Sequence, residues 1–213
     1  GQNFTKRDLA SKSIHLEQNI LKESVGSQDQ VAAAFGGLNR IDFGGSWNFT
    51  TCPLHLKKDK MKELESWVQL FFTAKLRNSH DIAEKKISNI TNKKVDLNEI
   101  AQITKEAESI LFSDSPTKMN DLGNLMKAQW ELKKQIEKTI TNSEIDNMYD
   151  TGIKSGAIGG KLLGAGGGGF MMFLTPPHLQ KQVAEALKLK EVPVDFEHLG
   201  SQLIYHDYQD QEV

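Results

Sequence analysis

The sequence has little cysteine, short apolar runs and no excess of basic residues, and each of these features excludes a class of protein. Its 213 residues include one cysteine, Cys52, which excludes an internal disulfide framework and fits a reducing compartment. Its apolar runs are short, as at Phe170–Leu174, whereas a membrane helix needs about 20 apolar residues. Lysine and arginine number 26 against 28 aspartates and glutamates, so the chain lacks the basic excess of a nucleic-acid binder. We therefore expect a cytoplasmic globular protein without membrane or nucleic-acid partners.

The histidines give no sign of a metal site. The six lie at positions 15, 55, 80, 178, 198 and 206, and no two are three to five residues apart. We therefore predict no metal ligands among them. The polar start Gly1–Phe4 is not a signal peptide, and the missing initiator methionine suggests a piece of a longer protein.

Periodicity predicts an α+β fold. The predicted helices are Thr5–Glu23, Val31–Phe35, Ser79–Ile90, Asp96–Phe112, one opened by Ser115 and Pro116, one capped by Ser143, and Gln180–Lys188. The predicted strands are Leu38–Phe43, Phe49–Leu56, Trp67–Thr73, Phe170–Leu174, Val192–Phe196 and Gln202–His206. The run KKDK at residues 57–60 is interpreted as a solvated turn.

Glycine is concentrated near the end of the chain. Nine of the 17 glycines lie between Gly152 and Gly169. Gly164, Gly166 and Gly169 match the dinucleotide motif G-x-G-x-x-G, but that motif needs a following helix, and the next residues are typical of a strand. Two interpretations stay open: a loop next to bound phosphate, whose backbone N–H groups face an anion, or a tight turn between buried strands.

Three segments resemble motifs of the GHMP kinases, the galactokinase, homoserine, mevalonate and phosphomevalonate kinase superfamily. GGKLLGAGGGGF at residues 159–170 resembles the third signature of that family. VGSQDQ at residues 25–30 resembles the segment with the catalytic aspartate of sugar kinases, and FTAKLR at residues 72–77 resembles a Thr-Gly-x-x-Arg element, with Ala74 in place of glycine. The chain is most similar to the sugar-kinase branch, in particular to D-glycero-D-manno-heptose 7-phosphate kinases.

The resemblance implies a fold and a reaction. Residues 1–75 would be the back part of the N-terminal kinase domain (ribosomal S5 domain 2-like), and residues 76–213 the ferredoxin-like C-terminal domain. The implied reaction is ATP-dependent phosphoryl transfer to the hydroxyl of a sugar or sugar phosphate. The alternative substrates are fucose, galactose and mevalonate-type compounds.

The resemblance also implies site residues. Asp29 would be catalytic, with capping of a helix as the alternative role. Gln28 and Arg77 would bind substrate, although an arginine that is simply solvated at a helix entry is nearly as good an interpretation. The loop next to the nucleotide phosphates would consist of Gly164, Ala165, Gly166, Gly167, Gly168 and Gly169. It is expected to share one cavity with Asp29.

Two family signatures do not occur among these residues, the first, which lies at the family's N-terminus, and the second. The Gly-Ser-rich loop that wraps the ATP phosphates is absent, so the main ligands for ATP and Mg²⁺ are expected in a segment upstream. The chain alone is therefore expected to be inactive. The alternative is a truncated, non-catalytic protein of the same fold that binds a ligand or a partner, and an exposed apolar surface is expected to favour a homodimer.

Overall fold

The computed structural model describes residues 4–23, 25–44, 48–74, 94–164 and 166–204. The chain forms two compact units. The first consists of Gly1–Leu54 with Phe196–Val213, and the second of His55–Asp195. Each unit is described by itself.

The first unit contains two helices and a hairpin. They are α1 (Lys6–His15), which continues as a π-helical turn (Leu16–Ile20), α2 (Gln28–Phe35), and the antiparallel strands β1 (Asn39–Phe43) and β2 (Phe49–Pro53). Thr5 caps α1 in a reciprocal pair of hydrogen bonds with Asp8. The apolar sides of α1, α2 and β2 meet in a small core: Ala10, Ile14, Val31, Ala34 and Phe49.

A close backbone contact fixes the end of α2. Gly36 ends the helix with φ +63°, and Gly200 lies so near that a Cβ on Gly36 would be 2.1 Å from the Gly200 nitrogen. Ser201 donates its backbone N–H to the carbonyl of Ala33 at 2.9 Å. The predicted strand Gln202–His206 is wrong over residues 202–204, because these residues pair with no strand; residues 205 and 206 lie outside the described part.

The second unit has one antiparallel sheet with helices. Its elements are α3 (Lys58–Trp67), β3 (Val68–Phe72), α4 (Lys94–Phe112), α5 (Lys118–Ile136), a 3₁₀ turn (Lys138–Ile140), α6 (Ser143–Lys154), β4 (Gly159–Leu162), β5 (Phe170–Leu174), a second 3₁₀ turn (Pro177–Leu179), α7 (Gln180–Leu187) and β6 (Lys190–Val192). The strand order is β4-β5-β3-β6, and every pair is antiparallel. The predicted α+β class is confirmed.

Aromatic side chains fill the core beneath this sheet. Trp130 of α5, Tyr149 of α6 and Phe173 of β5 are buried, with the Trp130 and Phe173 rings each about 6 Å from the Tyr149 ring. Burial, with the nearby carboxylates of Glu131 and Asp150 as lesser causes, raises the pKa of Tyr149 to about 12. A single densely packed core therefore supports β4 and β5, the strands on either side of the glycine loop.

Several predicted boundaries need correction. The run at 57–60 begins α3 rather than a turn, and Lys60 donates to the carbonyls of Phe112 and Ser113 at the end of α4. Helix α4 begins at Lys94 rather than Asp96, and Asn142 rather than Ser143 caps α6. Helix α5 begins at Lys118, just after the predicted opening.

The last part of the second unit also differs from the prediction. The strand predicted at 192–196 overlaps β6 at residue 192 only and is wrong over residues 193–196, and β4 was not predicted. The predicted helix Ser79–Ile90 lies outside the described residues. The domain boundary at residue 75 stays a prediction; in the structure β3, at residues 68–72, pairs with strands of the second unit.

Candidate active site

Asp29 lies in the first turn of α2. The helix begins at Gln28, and both Gln28 and Asp29 are exposed. Ser27 occupies the N-cap position, so capping in the usual sense does not account for Asp29. The N-terminal end of a helix carries partial positive charge, which favours an ionised carboxylate there. The local structure thus presents a carboxylate to solvent at the end of a short helix.

The turn before α2 is held by side chains of the π-helical turn. Gln18 donates its side-chain amide to the carbonyl of Val25 at 2.9 Å and to the hydroxyl oxygen of Ser27 at 3.1 Å. Gln30, which is 9% exposed, donates its side-chain amide to the carboxylate of Glu17 at 2.5 Å. The residues on both sides of Asp29 are therefore tied to the π-helical turn that continues α1. The sequence analysis did not identify Glu17 or Gln18, because the hydrogen bonds join residues up to 13 apart and leave no local pattern.

The glycine loop connects β4 and β5. It spans residues 163–169, and β5 follows it directly, so the dinucleotide interpretation fails because no helix begins there. Four of its glycines have φ between +77° and +106°: Gly164, Gly166, Gly167 and Gly169. Other residues rarely adopt these angles, which is why the segment is rich in glycine.

Two contacts fix the loop within its unit. The N–H of Gly167 donates to the carbonyl of Ile140 at 2.9 Å, and a Cβ on Gly166 would be 2.6 to 2.9 Å from atoms of Ile140. The carbonyl of Gly169 accepts from the backbone N–H and from the hydroxyl of Thr73, each at 2.9 Å. The loop is thus anchored to the 3₁₀ turn and to the residue after β3. Around Gly164 the space is open, since a Cβ there would meet nothing within 4 Å.

Lys161 lies close to this loop on an apolar part of the sheet. It pairs with Met172 of β5, and Met172 pairs with Leu70 of β3, so the three side chains share one face. Burial against this face lowers the pKa of Lys161. The structure thus keeps a desolvated amine three residues before Gly164.

The burial of Lys161 makes a prediction about stability and pH. Below the lowered pKa of Lys161 in the folded state, the side chain is charged, and the full cost of burying that charge reduces the free energy of unfolding. As pH rises from that pKa to the ordinary 10.5, the unfolded chain binds more protons than the folded chain, so the free energy of unfolding increases. Lys161→Met should therefore stabilise residues 1–213 in urea unfolding at neutral pH, with a smaller gain near pH 10.5. Lys127→Met, on an exposed position of α5, is the control. A gain that is the same at both pH values would contradict the assignment.

Two of the residues predicted for the site, Arg77 and Ala165, lie outside the described residues. Among the residues that the structure describes, no group of three or more histidine, cysteine or acidic side chains is arranged to hold a metal ion. Within the same residues, no helix has both the length and the apolar character needed to cross a membrane.

Two comparisons with known proteins find similarity to sugar kinases of the GHMP type. Residues 117–192 match the family described as "GHMP kinases C terminal". The chain is 31% identical over 188 residues to D-glycero-alpha-D-manno-heptose 7-phosphate kinase of Campylobacter jejuni, covering 86% of this chain and 54% of that protein. It is 24% identical over 173 residues to the bifunctional fucokinase/GDP-fucose pyrophosphorylase of Arabidopsis thaliana. That alignment covers 80% of this chain and 16% of that protein.

Solved structures show the same fold. A D-glycero-D-manno-heptose 1-phosphate kinase from Bacteroides thetaiotaomicron superposes with a TM-score of 0.69 at 24% identity, over 96% of this chain and 57% of that one. The mevalonate kinase of Methanococcus jannaschii superposes with a TM-score of 0.64 at 21% identity, over 90% of this chain and 56% of that one. The chain spans about half the length of the curated heptose kinase and of these structures.

Proposed function

We propose that this chain takes part in ATP-dependent phosphoryl transfer to a hydroxyl of a sugar or sugar phosphate. Residues 117–192 match the GHMP kinase C-terminal family, and the fold superposes on that of a heptose 1-phosphate kinase. The observation that carries the proposal is the 31% identity to a heptose 7-phosphate kinase along 86% of the chain. The anchored glycine loop and the exposed carboxylate at the start of α2 support it, because both are features that phosphoryl transfer can use.

In the proposed reaction Asp29 accepts a proton. The attacking sugar hydroxyl donates a hydrogen bond to the carboxylate of Asp29. Its oxygen forms a bond to the γ-phosphorus of ATP, while the bond from that phosphorus to the β,γ-bridging oxygen breaks and ADP leaves. The hydroxyl proton ends on Asp29. Exposure of the carboxylate in α2 leaves it accessible to a substrate.

The glycine loop has a proposed role on the phosphate side. Its glycines allow close approach of the backbone, and N–H groups in such turns can face an anion. Gly164, where space is open, is the point of the loop best suited to such an approach. Gln28 and Arg77 are proposed to bind the sugar substrate. Mg²⁺ bound with ATP would neutralise charge on the phosphates.

We propose a heptose 7-phosphate as the substrate, because the heptose kinase is 31% identical whereas the fucokinase is 24% identical. The test measures ADP formation by the intact gene product that contains this chain, with heptose 7-phosphate, fucose, galactose and mevalonate as acceptors. We expect the highest kcat/KM with heptose 7-phosphate and a phosphorylated sugar as product. ADP formation that no acceptor stimulates would contradict the proposed function, and preference for another acceptor would contradict only the substrate.

The second candidate is a non-catalytic protein of the same fold. The assay on the intact gene product separates the two, because only a kinase forms ADP in response to an acceptor. From residues 1–213 alone we expect no ADP formation. Turnover by residues 1–213 alone would contradict the expectation that an upstream phosphate-binding segment is needed. A cytoplasmic location and a homodimer stay part of the proposal, and the partner is a small sugar or sugar phosphate rather than a nucleic acid.

A further inference from the structure

We propose that Gln18 is a positioning residue for Asp29. This inference rests on the proposed role of Asp29 and concerns a residue that no local sequence pattern marks. Gln18 does not contact Asp29 itself in the described hydrogen bonds; it binds the turn from which α2 begins. Its effect on the reaction is therefore indirect.

The hydrogen bonds of Gln18 fix the backbone just before Asp29. One side-chain amide reaches two acceptors, the carbonyl of Val25 at 2.9 Å and the hydroxyl oxygen of Ser27 at 3.1 Å. Ser27 is the N-cap of α2, yet its side chain makes no capping hydrogen bond to the helix. Its hydroxyl instead accepts from Gln18, so Gln18 sets the start of the helix from outside it.

Packing does not hold this turn at its centre. A Cβ on Gly26 would meet nothing within 4 Å, so the turn between Val25 and Ser27 has open space around its middle residue. The turn is restrained by the backbone hydrogen bond from the N–H of Val25 to the carbonyl of Glu23 and by the side-chain hydrogen bonds of Gln18. Because glycine also adopts many backbone conformations, loss of the Gln18 amide frees the turn.

A second side chain of the same π-helical turn holds the other side of Asp29. Glu17 accepts from the buried side-chain amide of Gln30. Glu17 and Gln18 are consecutive, and π-helical turns are frequent at functional sites. With Glu17 still in place, removing the Gln18 amide should loosen the turn without detaching α2.

The test substitutes Gln18 in the intact gene product. Gln18→Met keeps the length of the side chain and removes both donors; Asn19→Leu removes an amide from the exposed neighbour and serves as the control. A misplacement of about 1 Å costs about 100-fold in rate, so we expect kcat of Gln18→Met to fall by about that factor, with KM for ATP nearly unchanged. Asn19→Leu should keep the kcat of the unsubstituted protein.

A double substitution separates positioning from a structural role. In the Asp29→Asn background, Gln18→Met should lower kcat no further, because the group that it positions is already gone. The inference is overturned if Gln18→Met alone keeps a normal kcat, or if it lowers kcat equally with and without Asp29. A normal kcat for Asp29→Asn alone would instead remove the proposed role of Asp29, and this inference with it.

A milder variant keeps the test available if Gln18→Met does not fold. Ser27→Ala removes one of the two acceptors, so we expect a smaller fall in kcat, of about fivefold, that also vanishes in the Asp29→Asn background. An unchanged kcat, or a fall that persists in that background, would overturn the inference.

Discussion

Replacing Asp29 with asparagine is expected to lower kcat of the intact gene product by about a thousandfold, within the range measured for loss of a general base. The substitution keeps the size of the side chain and removes its capacity to accept a proton. Because the carboxylate is exposed, the free energy of unfolding should change by no more than about 0.5 kcal/mol. ADP formation and urea unfolding measure the two effects.

The chain contains a matched control for this substitution. Asp59 is the second residue of α3, as Asp29 is the second residue of α2, and both are exposed. Asp59→Asn removes the same charge from the same helical position, so any effect on the helix is shared by both variants. The role of Asp29 is wrong if its variant keeps a near-normal kcat, or if Asp59→Asn is equally impaired.

Substitution in the glycine loop is expected to have the largest effect on stability. At Gly166, with φ +106°, a Cβ would lie 2.6 Å from the Ile140 side chain and 2.8 Å from its Cα. Gly166→Ala therefore combines backbone strain with overpacking, and we expect a loss of about 3 kcal/mol in the free energy of unfolding. Urea unfolding of residues 1–213 measures this loss.

Gly164 provides the comparison within the same loop. Its φ is +80°, and a Cβ there would meet nothing within 4 Å. Gly164→Ala should therefore retain only the backbone strain and destabilise by about 1 kcal/mol. Equal losses for the two variants would show that contact with Ile140 does not anchor the loop.

Local signals in the sequence predicted much of the first unit. The predicted helix start at Thr5 agrees with the N-cap of α1, and the predicted helix end at Phe35 agrees with the end of α2, because caps and glycine stops depend on neighbouring residues alone. The return of residues 197–201 against α2 was not predictable in this way. It depends on contact between Gly36 and Gly200, which are far apart in the sequence.

The missed elements of the second unit have a tertiary cause. β4 contains two glycines, which are poor strand formers, yet a Cβ on Gly159 would lie 1.9 Å from the carbonyl oxygen of Gly123 in α5. Close packing against α5, rather than strand propensity, explains the glycine. Likewise the charges at 57–60 were interpreted as a turn, whereas Lys60 binds the end of α4 from within a helix.

The glycine loop shows how much the resemblance to the GHMP kinases adds to a prediction made from glycine content alone. Glycine content alone left a phosphate loop and a tight turn as alternatives, and the structure shows a fixed connection between antiparallel strands that is compatible with both. The resemblance to the GHMP kinases is confirmed by the match at residues 117–192. The roles of Asp29, Gln28, Arg77 and the loop stay predictions.

Hydrogen exchange of the intact gene product, with an unreactive ATP analogue and heptose 7-phosphate, tests most directly whether Asp29 and the glycine loop serve one reaction. Amide exchange reports local protection by bound ligands. We expect residues 25–30 and residues 163–170 to gain protection together, and only partly with either ligand alone. If both ligands bind and one of these segments keeps the exchange of the free protein, the proposed shared role is wrong.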